Sequence, residues 1–568
     1  MNSSLMMSLQ SRREWIIPKK KTTDVVEYIL KSRKIVEKEN YLNPSLNNIP
    51  SYKKLYNTSK ATKEILKHIE KGSKIVIHGD YDADGICATS LLWEFLYRDV
   101  SKFLKKKIDV VPYLPNRIEQ GYGLTRDSLN DVLDLGANLV ITVDCGVRDK
   151  ELINEFKKEK NLDFIVTDHH QPPKDILKDL KYPLVHQMYP EKEYPYTEIS
   201  GTAVVYLLIQ AVMDKLGMEE DPMYGLDLVS LSTVTDVMPL IDVNRVFVKF
   251  GLNKIRKGNR LGLRMLALRA GINIEDIDTY HLGYILGPRI NAVGRIASPM
   301  DAVRLLVSTD ERQCKEIANV LEVTNFERQR MTNGVLEEAR EMVKDSKKKL
   351  LFAKGDNWHE GIIGLVAGKL QEEYYKPVIV ATLNEGLVKG SARSIKGFNI
   401  TKALEKFKKY LERYGGHELA AGFTLKEENF KKFSESILDY ANEKISDDDL
   451  LPKLKVEILL NSEDITVSLV NDLKKLEPLG FGNPKPYVCL KGLEIKKKNV
   501  IGKESNHLKL FVKGSGVDYL TLLLFSCNED VDTLKEGDSI DVVGYPDINA
   551  WNGREDIQFN VKEWKFSS

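Results

Sequence analysis

Short apolar runs alternate with amphipathic stretches along the first half of the chain, from residue 74 onward. The runs at 74–78, 139–143 and 164–167 are β-rich and bounded by turn residues, whereas 90–97 and 125–135 show the helical spacing of apolar positions. This alternation is typical of a parallel sheet covered by helices on both faces. We therefore predict an α/β domain here.

Other patterns follow further along the chain. Asp310 precedes a near-heptad pattern that continues to residue 344 and predicts one helix of about 50 Å. This helix would pack in a core, separate two domains as a rigid spacer, or do both. A second α/β pattern includes a strand at 377–381. Beyond Pro452, five strand-like runs predict a small β-barrel of the OB kind, and these runs lie at 455–460, 507–512, 519–525, 539–544 and 556–564.

These patterns divide the chain into five parts. The predicted parts are an N-terminal extension packed on the next domain (1–50), the parallel-sheet domain (51–309), the connecting helix (310–345), a second α/β domain (346–450) and the barrel (451–568).

Charge and cysteine content exclude several classes of protein. The 84 Lys and Arg residues almost balance the 83 Asp and Glu residues, so only local basic groups could bind an anion. Five scattered cysteines without a CxxC pair argue against a disulfide framework or a cysteine zinc site. No apolar run approaches the roughly 20 residues of a membrane span, and residues 1–15 lack a signal-peptide pattern. We therefore expect a cytoplasmic protein without a membrane partner.

Carboxylate and imidazole side chains follow three of the predicted strands. His78, Asp80, Asp82 and Asp84 alternate after the first strand and would share one face in extended geometry. The other two strands lead into Asp144 and into Asp168-His169-His170, while Asp236 interrupts an apolar stretch as either a helix cap or a ligand. Because the carboxyl ends of parallel strands share one edge, these groups predict a site for Mn²⁺, Mg²⁺ or iron. Two ions are favoured over one, and two ions suit hydrolysis of a phosphoester.

The motifs of this region resemble those of the DHH phosphoesterase superfamily. They occur in the family's order, namely HGDYDADG (78–85), DCG (144–146), TDHH (167–170), TVTDV (233–237), GPRINAVGR (287–295), WHEGIIG (358–364), GSAR (390–393) and GGH (415–417). Over about 500 residues they are similar to the branch of bacterial single-strand-specific 5′→3′ DNA exonucleases. The resemblance implies an α/β fold with a DHH domain, a long connecting helix, a DHHA1 domain and a C-terminal OB domain. The chain departs from the branch at Val185-His186-Gln187, where many relatives carry Asn-Pro, which puts only local loop geometry in doubt.

The resemblance also implies roles for individual residues. One metal ion would be held by His78, Asp82 and Asp144, and the other by Asp84, Asp144, His169 and Asp236, with Asp144 as the bridge. Asp80 would support this shell and His170 would lie near the reacting phosphate, where water activated by the ions is the nucleophile. The 5′ end would be recognised by Arg117, Ser391 and Arg393, and the scissile or neighbouring phosphate by Arg289, Asn291 and Arg295, with His417 close to the reacting group.

We therefore expect a Mn²⁺- or Mg²⁺-dependent exonuclease that degrades single-stranded DNA from the 5′ end to mononucleotides, in recombination and repair. A helicase and single-strand DNA-binding protein would be its partners. Two alternatives remain open, a DHH phosphodiesterase of short oligonucleotides or cyclic dinucleotides and a catalytically inactive DNA-binding relative. Two local features are also open. Trp358 would either stack on a base or lie in a core, and a lysine patch on the barrel would either track DNA or form a solvated hairpin (Lys491, Lys496, Lys497, Lys498, Lys503 and Lys509).

Overall fold

The chain folds into two compact units. The structure is a computed structural model, and it describes residues 9–11, 13–18, 24–115, 123–188, 194–551 and 554–567. The larger unit comprises Pro44–Asn442 with Gly480–Asn483. The smaller unit comprises the described residues up to Asn43, together with Glu443–Leu479 and the described residues from Pro484 onward.

The N-terminal residues belong to the smaller unit. They form β1 (Glu14–Ile16), α1 (Val25–Ser32) and α2 (Lys38–Leu42). Strand β1 pairs in parallel with residues 453–455, and Arg33 forms a buried ion pair of 3.1 Å with Glu457. The prediction that this extension packs on the next domain in sequence is therefore wrong up to Asn43. The physical reason is that β1 completes the backbone hydrogen bonds of a strand edge more than 400 residues away.

The larger unit begins with the predicted parallel sheet. Its strands are β2 (Ile75–Gly79), β3 (Val110–Tyr113), β4 (Leu139–Val143), β5 (Asp163–Thr167) and β6 (Leu184–Val185), in the order β3-β2-β4-β5-β6. Ile75 and Ile77 join one hydrophobic cluster and Val76 joins another, so both faces of the sheet are covered as predicted. The helices of this part are α3 (Thr58–Lys71), α4 (Ala83–Glu94), α5 (Ser101–Leu104), α6 (Arg126–Asp134), α7 (Lys150–Lys160), α8 (Gly201–Leu216), α9 (Leu226–Thr235), α10 (Asp242–Arg256), α11 (Leu261–Arg269), α12 (Gly287–Ile296) and α13 (Met300–Val307).

The predicted long helix is present as α14 (Glu311–Val343), a continuous helix of 33 residues. The side chain of Asp310 accepts a hydrogen bond from the backbone N–H of Gln313, which is the predicted cap. Leu321 is buried in the core of the first domain, and Ala339 is buried in a cluster with the helix that follows. The helix therefore packs in two cores and also connects two domains.

The second domain of the larger unit contains a mixed sheet. Its strands are β7 (Leu351–Asp356), β8 (Val378–Asn384), β9 (Leu387–Arg393), β10 (Arg413–Gly416) and β11 (Ala420–Lys426), in the order β10-β11-β9-β8-β7. Its helices are α15 (Glu360–Tyr374), α16 (Ile400–Lys406) and α17 (Glu427–Lys444). Strands β7 and β8 are parallel and the other neighbours are antiparallel.

The C-terminal residues form a closed barrel in the smaller unit. Its elements are β12 (Lys453–Lys455), β13 (Ile458–Leu459), α18 (Val467–Lys474), β14 (Val488–Ile501), β15 (His507–Gly514), β16 (Val517–Leu524), α19 (Asn528–Thr533), β17 (Ser539–Trp551) and β18 (Arg554–Phe566). Pairing of β14 with β17 closes five strands into the predicted barrel.

Two details of the barrel prediction are wrong. The run at 455–460 splits into β12 and β13, which pair with different strands. Strand β14 was not predicted, because its lysine run resembles a solvated segment, yet β15 and β17 satisfy its backbone groups.

No helix among the described residues has the length and apolar character needed to cross a bilayer. The domain boundaries proposed at residues 50, 309, 345 and 450 stay predictions.

Candidate metal centre and phosphate-binding site

Acidic side chains gather at the carboxyl edge of the parallel sheet, as the sequence predicts. Asp80 follows β2, Asp144 follows β4 and Asp168 follows β5. The expected extended geometry from 78 to 84 is wrong, because the chain turns into α4 at Ala83. Asp82 caps this helix, and its Oδ1 accepts hydrogen bonds of 3.0 and 3.1 Å from the backbone N–H groups of Asp84 and Gly85. Asp82 and Asp84 thus reach the site from the first turn of a helix.

Three buried atoms at this edge have no hydrogen-bond partner among the described residues. They are Asp144 Oδ1, His169 Nε2 and Asp236 Oδ2. His169 Nε2 lies 3.1 Å from Asp144 Oδ1 and 3.5 Å from Asp236 Oδ2. The other ring nitrogen of His169, Nδ1, donates to the carbonyl oxygen of Ile199 at 2.9 Å. Nε2 therefore presents its lone pair, which is the arrangement of a histidine that binds a metal ion.

The ligand atoms form three overlapping groups, each within 4.8 Å. The groups are Asp80, Asp82 and Asp144; Asp84, His169 and Asp236; and Asp144, His169 and His170. Burial, and then the charges of neighbouring carboxylates, raise the pKa of Asp144 and of Asp236 far above the ordinary value. Carboxylates crowded in this way stay ionised only beside cations, and oxygen donors with one imidazole suit Mn²⁺ or Mg²⁺. The residues present therefore fit divalent metal ions.

Asp84 is held by a set of donors that sequence reasoning missed. Its carboxylate accepts hydrogen bonds from the backbone N–H groups of Gly201 (2.7 Å) and Thr202 (2.8 Å) at the start of α8. The hydroxyl groups of Thr202 and Ser232 donate to it as well, each at 2.6 Å. A helix N-terminus and two hydroxyl groups thus stabilise a buried charge. Asp84 has to be fixed in this way to face Asp236 and His169.

His78 occupies the predicted strand end but does not join the three groups. Its Nε2 lies 3.2 Å from Ser128 Oγ, and its Nδ1 lies 3.8 Å from Cys145 Sγ. Burial lowers the pKa of His78 to about 4, so the ring is neutral near pH 7. Its role as a ligand stays a prediction.

Asp168 fixes the two histidines that follow it. Its Oδ1 accepts hydrogen bonds from the backbone N–H groups of His169 (2.7 Å) and His170 (3.0 Å) and from His170 Nδ1 (2.8 Å). Its Oδ2 accepts a fourth, from the backbone N–H of Val147. Burial opposes the charge on both partners, but the hydrogen bond between them lowers the pKa of Asp168 and raises the pKa of His170. The side chain of His170 is one-third exposed.

His186 and Gln187, where the sequence departs from the family pattern, hold the backbone of His169 and His170. His186 Nδ1 accepts from the backbone N–H of Met188 at 3.0 Å, so its Nε2 carries the proton and donates to the carbonyl oxygen of His170 at 2.8 Å. Gln187 Nε2 donates to the carbonyl oxygens of His169 (2.9 Å) and Thr197 (3.0 Å). Sequence reasoning gave these residues no role. The available signal was the departure from the family pattern at this position, and the structure shows that both side chains are buried and hydrogen-bonded.

Ser391 and Arg393 lie together on β9 in the second domain. Arg393 Nη1 is 3.3 Å from Ser391 Oγ. A Cβ atom at Gly364 in α15 would come within 3.0 Å of Ser391 Oγ and 3.4 Å of Arg393 Nη2. The absence of a side chain at Gly364 thus lets α15 approach these two groups closely.

The remaining predicted substrate residues lie in several places. Asn291 Oδ1 accepts from the backbone N–H of Ala83 at 2.7 Å, next to Asp82. Arg295 donates to the carbonyl oxygen of Gly361 at 2.8 Å and so joins α12 to α15.

Arg289 and His417 have other surroundings. Arg289 donates to both carboxylate oxygens of Glu322 on α14, and His417 is exposed at the turn between β10 and β11. Arg117 lies outside the described residues. The roles of all these residues stay predictions.

The structure also bears on the two open local features. Trp358 is buried and its Nε1 donates to Glu338 at 2.9 Å, which favours the core interpretation. In the lysine patch, Lys498 donates to the carbonyl oxygen of Leu534 at 2.8 Å. At least this lysine is used inside the barrel.

Metal-ligand groups at the carboxyl edge of a parallel sheet, joined by a long helix to a second α/β domain, define a phosphoesterase of the DHH type. Three family models match: the DHH family N-terminal domain over residues 74–233, the DHHA1 domain over 347–443 and the RecJ OB domain over 456–563. The single-stranded-DNA-specific exonuclease RecJ of Haemophilus influenzae is 30% identical over 548 residues, covering 92% of this chain and 91% of that protein. The chain belongs to the RecJ family.

Two further relatives support this membership. The single-stranded-DNA-specific exonuclease RecJ of Bacillus subtilis is 35% identical over 510 residues, which cover 89% of this chain. The match spans 62% of that relative's length. The crystal structure of RecJ in complex with Mn²⁺ from Thermus thermophilus has a TM-score of 0.82 at 26% identity, and covers 98% of this chain and 80% of that one.

Proposed function

We propose that this protein is a metal-dependent exonuclease that degrades single-stranded DNA from the 5′ end to 5′-mononucleotides, in recombination and repair. The observation that carries the proposal is the convergence of Asp144 Oδ1, His169 Nε2 and Asp236 Oδ2, buried and without hydrogen-bond partners among the described residues. Names of relatives supply the substrate class, since several are single-stranded-DNA-specific exonucleases.

Two divalent ions, Mn²⁺ or Mg²⁺, would occupy the centre. Asp82 and Asp144, with His78, would hold one, and Asp84, Asp144, His169 and Asp236 would hold the other. The sharing of Asp144 between two of the three ligand groups supports this arrangement. When bound, such ions supply Lewis-acid stabilisation of the phosphate and activation of water. Asp80, which shares a group with Asp82 and Asp144, would orient these carboxylates.

His170 would interact with the reacting phosphate. Asp168 accepts a hydrogen bond from its Nδ1 and so fixes the orientation of the ring. The raised pKa of His170 favours the protonated form, and a cationic donor stabilises the charge that develops on phosphate oxygens. Arg289 and His417 would assist at the same phosphate.

Recognition of the chain end would use the second domain. Ser391 and Arg393 would bind the 5′-phosphate, with Arg393 in bidentate fashion, and Arg117 would assist. Asn291 and Arg295 would contact the scissile or neighbouring phosphate, because they flank the start of α4 and of α15. A 5′-end preference needs such a cradle at a fixed distance from the metal centre, and both domains belong to the same compact unit.

The barrel would bind the single-stranded substrate, and the match of the RecJ OB domain model supports this role. A helicase and single-strand DNA-binding protein would supply unwound strands in the cytoplasm. The barrel also disfavours an enzyme restricted to dinucleotides, which has no need of a long binding surface.

Digestion of single-stranded and blunt duplex DNA, labelled at either end, tests the proposal. With Mn²⁺ or Mg²⁺, the 5′ label should appear at once as mononucleotide, while 3′-labelled strands shorten gradually and duplex and chelated reactions stay unchanged. Asp236→Asn should lose this activity, and Asp278→Asn, a half-exposed surface carboxylate, is the matched control. Release from the 3′ end, or equal attack on duplex DNA, would overturn the assignment.

A further inference from the structure

A second group of metal-ligand side chains lies at the opposite edge of the parallel sheet. Glu64 and His68 are one turn apart on α3, and Asp163 is the first residue of β5. The strand leads to Asp168 after five residues, which places the group about 16 Å from the candidate metal centre at roughly 3.3 Å per residue. The proposed exonuclease activity makes no use of it.

His68 is the unusual member of this group. Its side chain is 4% exposed, and neither ring nitrogen has a hydrogen-bond partner among the described residues. Nε2 lies 3.4 Å from Glu64 Oε1 and 3.3 Å from Asp163 Oδ2, between the two carboxylates. Burying an imidazole without partners is costly, so a ligand between these three atoms would recover that cost.

We propose that Glu64, His68 and Asp163 bind a divalent transition-metal ion of the zinc class. Nitrogen and oxygen ligands lie about 2.0–2.2 Å from zinc in tetrahedral sites, which separates two ligands by about 3.4 Å. Both separations from His68 Nε2 match this value. Imidazole nitrogen and carboxylate oxygen are both zinc ligands, and water would complete the fourth position beside three protein ligands. The ion ties the end of α3 to the start of β5.

Two lysines neutralise the same carboxylates. Lys67 Nζ lies 2.6 Å from Glu64 Oε1, and Lys157 contacts Asp163 Oδ1. The oxygen of Asp163 that faces His68 is the other one, Oδ2, so Lys157 leaves it accessible. The side chain of Lys67 is half exposed and can turn into solvent. The two lysines therefore compete with the ion for the carboxylates, and removing one lysine should strengthen the binding of the ion.

Zinc binding to the full chain tests the proposal, with Zn²⁺ itself as the probe. Equilibrium dialysis should find one more zinc ion on the wild-type protein than on His68→Leu, while His281→Leu retains the wild-type number. His281 is the matched control because it pairs with Asp278 on the surface at 2.6 Å. Thermal unfolding should show a larger zinc-dependent rise in Tm for the wild type than for His68→Leu, because the candidate metal centre is the same in both. Equal zinc numbers and equal Tm shifts would overturn the proposal.

A second variant, Lys157→Met, keeps all three proposed ligands. It tests the site even if His68→Leu does not fold. Removing one positive charge about 4 Å from the ion should raise zinc affinity at least about fivefold. An unchanged affinity contradicts the site. Exonuclease activity is not a readout in either experiment, so failure of this proposal and failure of the proposed function are distinguishable.

Discussion

Replacing Gly201 with alanine tests whether the position of Asp144 controls the activity. Gly201 is the first residue of α8, and its backbone does not adopt a positive φ, so alanine is compatible with its conformation. A Cβ atom there would lie 2.7 Å from both Cβ and Oδ1 of Asp144. The substitution therefore acts on the candidate bridging carboxylate without changing any candidate ligand.

The size of the effect follows from these distances. Ordinary contacts of a Cβ atom begin at 3.4 Å, so Asp144 or α8 has to move by about 0.7 Å. Metal-ligand distances tolerate only about 0.2 Å, and a misplacement of about 1 Å can cost 100-fold in rate. We expect kcat/KM to fall about 100-fold, which corresponds to about 2.7 kcal/mol of transition-state stabilisation. Overpacking should also lower the free energy of unfolding by about 1–3 kcal/mol.

The assay is release of 5′-labelled mononucleotide from single-stranded DNA at saturating Mn²⁺, together with urea unfolding. Gly368→Ala is the matched control, because Gly368 lies within α15 and a Cβ atom there meets nothing within 4 Å. It should keep full activity and gain about 0.5–1 kcal/mol in the free energy of unfolding. Retention of at least a third of the wild-type activity by Gly201→Ala would show that the position of Asp144 does not control the activity.

Three further substitutions test other parts of the site. Asp144→Ala should abolish cleavage in Mn²⁺ and Mg²⁺ alike, because Asp144 belongs to two ligand groups; substantial residual turnover of end-labelled DNA would show that it is not the shared ligand. Arg393→Ala should reduce the preference for 5′-phosphorylated over 5′-hydroxyl strands about tenfold, since a charge-assisted contact is lost. Binding titrations with both strands measure this ratio, and an unchanged ratio removes the proposed role. Gln187→Leu should lower the free energy of unfolding by about 1–3 kcal/mol, because two buried carbonyl groups lose their donor. Urea unfolding measures it, and an unshifted midpoint contradicts it.

The strand ends were predictable from sequence because periodicity locates strands and parallel strands present their carboxyl ends at one edge. This rule is sufficient to bring Asp80, Asp144 and His169 to the same edge of the sheet. Asp310 was predictable for a local reason as well, since a helix cap depends on residues within one turn. The identity of the domains came from the motifs of the superfamily rather than from periodicity.

Contacts over long sequence separations were not predictable. Asp84 is held by residues 117 to 148 positions away, and Arg289 pairs with Glu322 on a different helix. Strand β14 was not predicted, because its lysine run is typical of a solvent-exposed segment. It forms a strand nevertheless, because β15 and β17 pair with it on both sides. The N-terminal strand β1 escaped it because its partner lies at the other end of the chain.

His186 and Gln187, where the sequence departs from the family pattern, show that the metal ligands alone do not determine the geometry of the metal centre. Neither residue is a candidate metal ligand. From the sequence, this departure was expected to affect only local loop geometry. Their side chains nevertheless donate to the carbonyl oxygens of His170 and His169, so the loop sets the backbone from which both imidazoles project. The pair His186 and Gln187 therefore serves this chain by supplying donors to both carbonyl groups. Loss of activity in Gln187→Leu with all ligands retained would establish that the loop, as well as the metal motifs, determines the geometry of the centre.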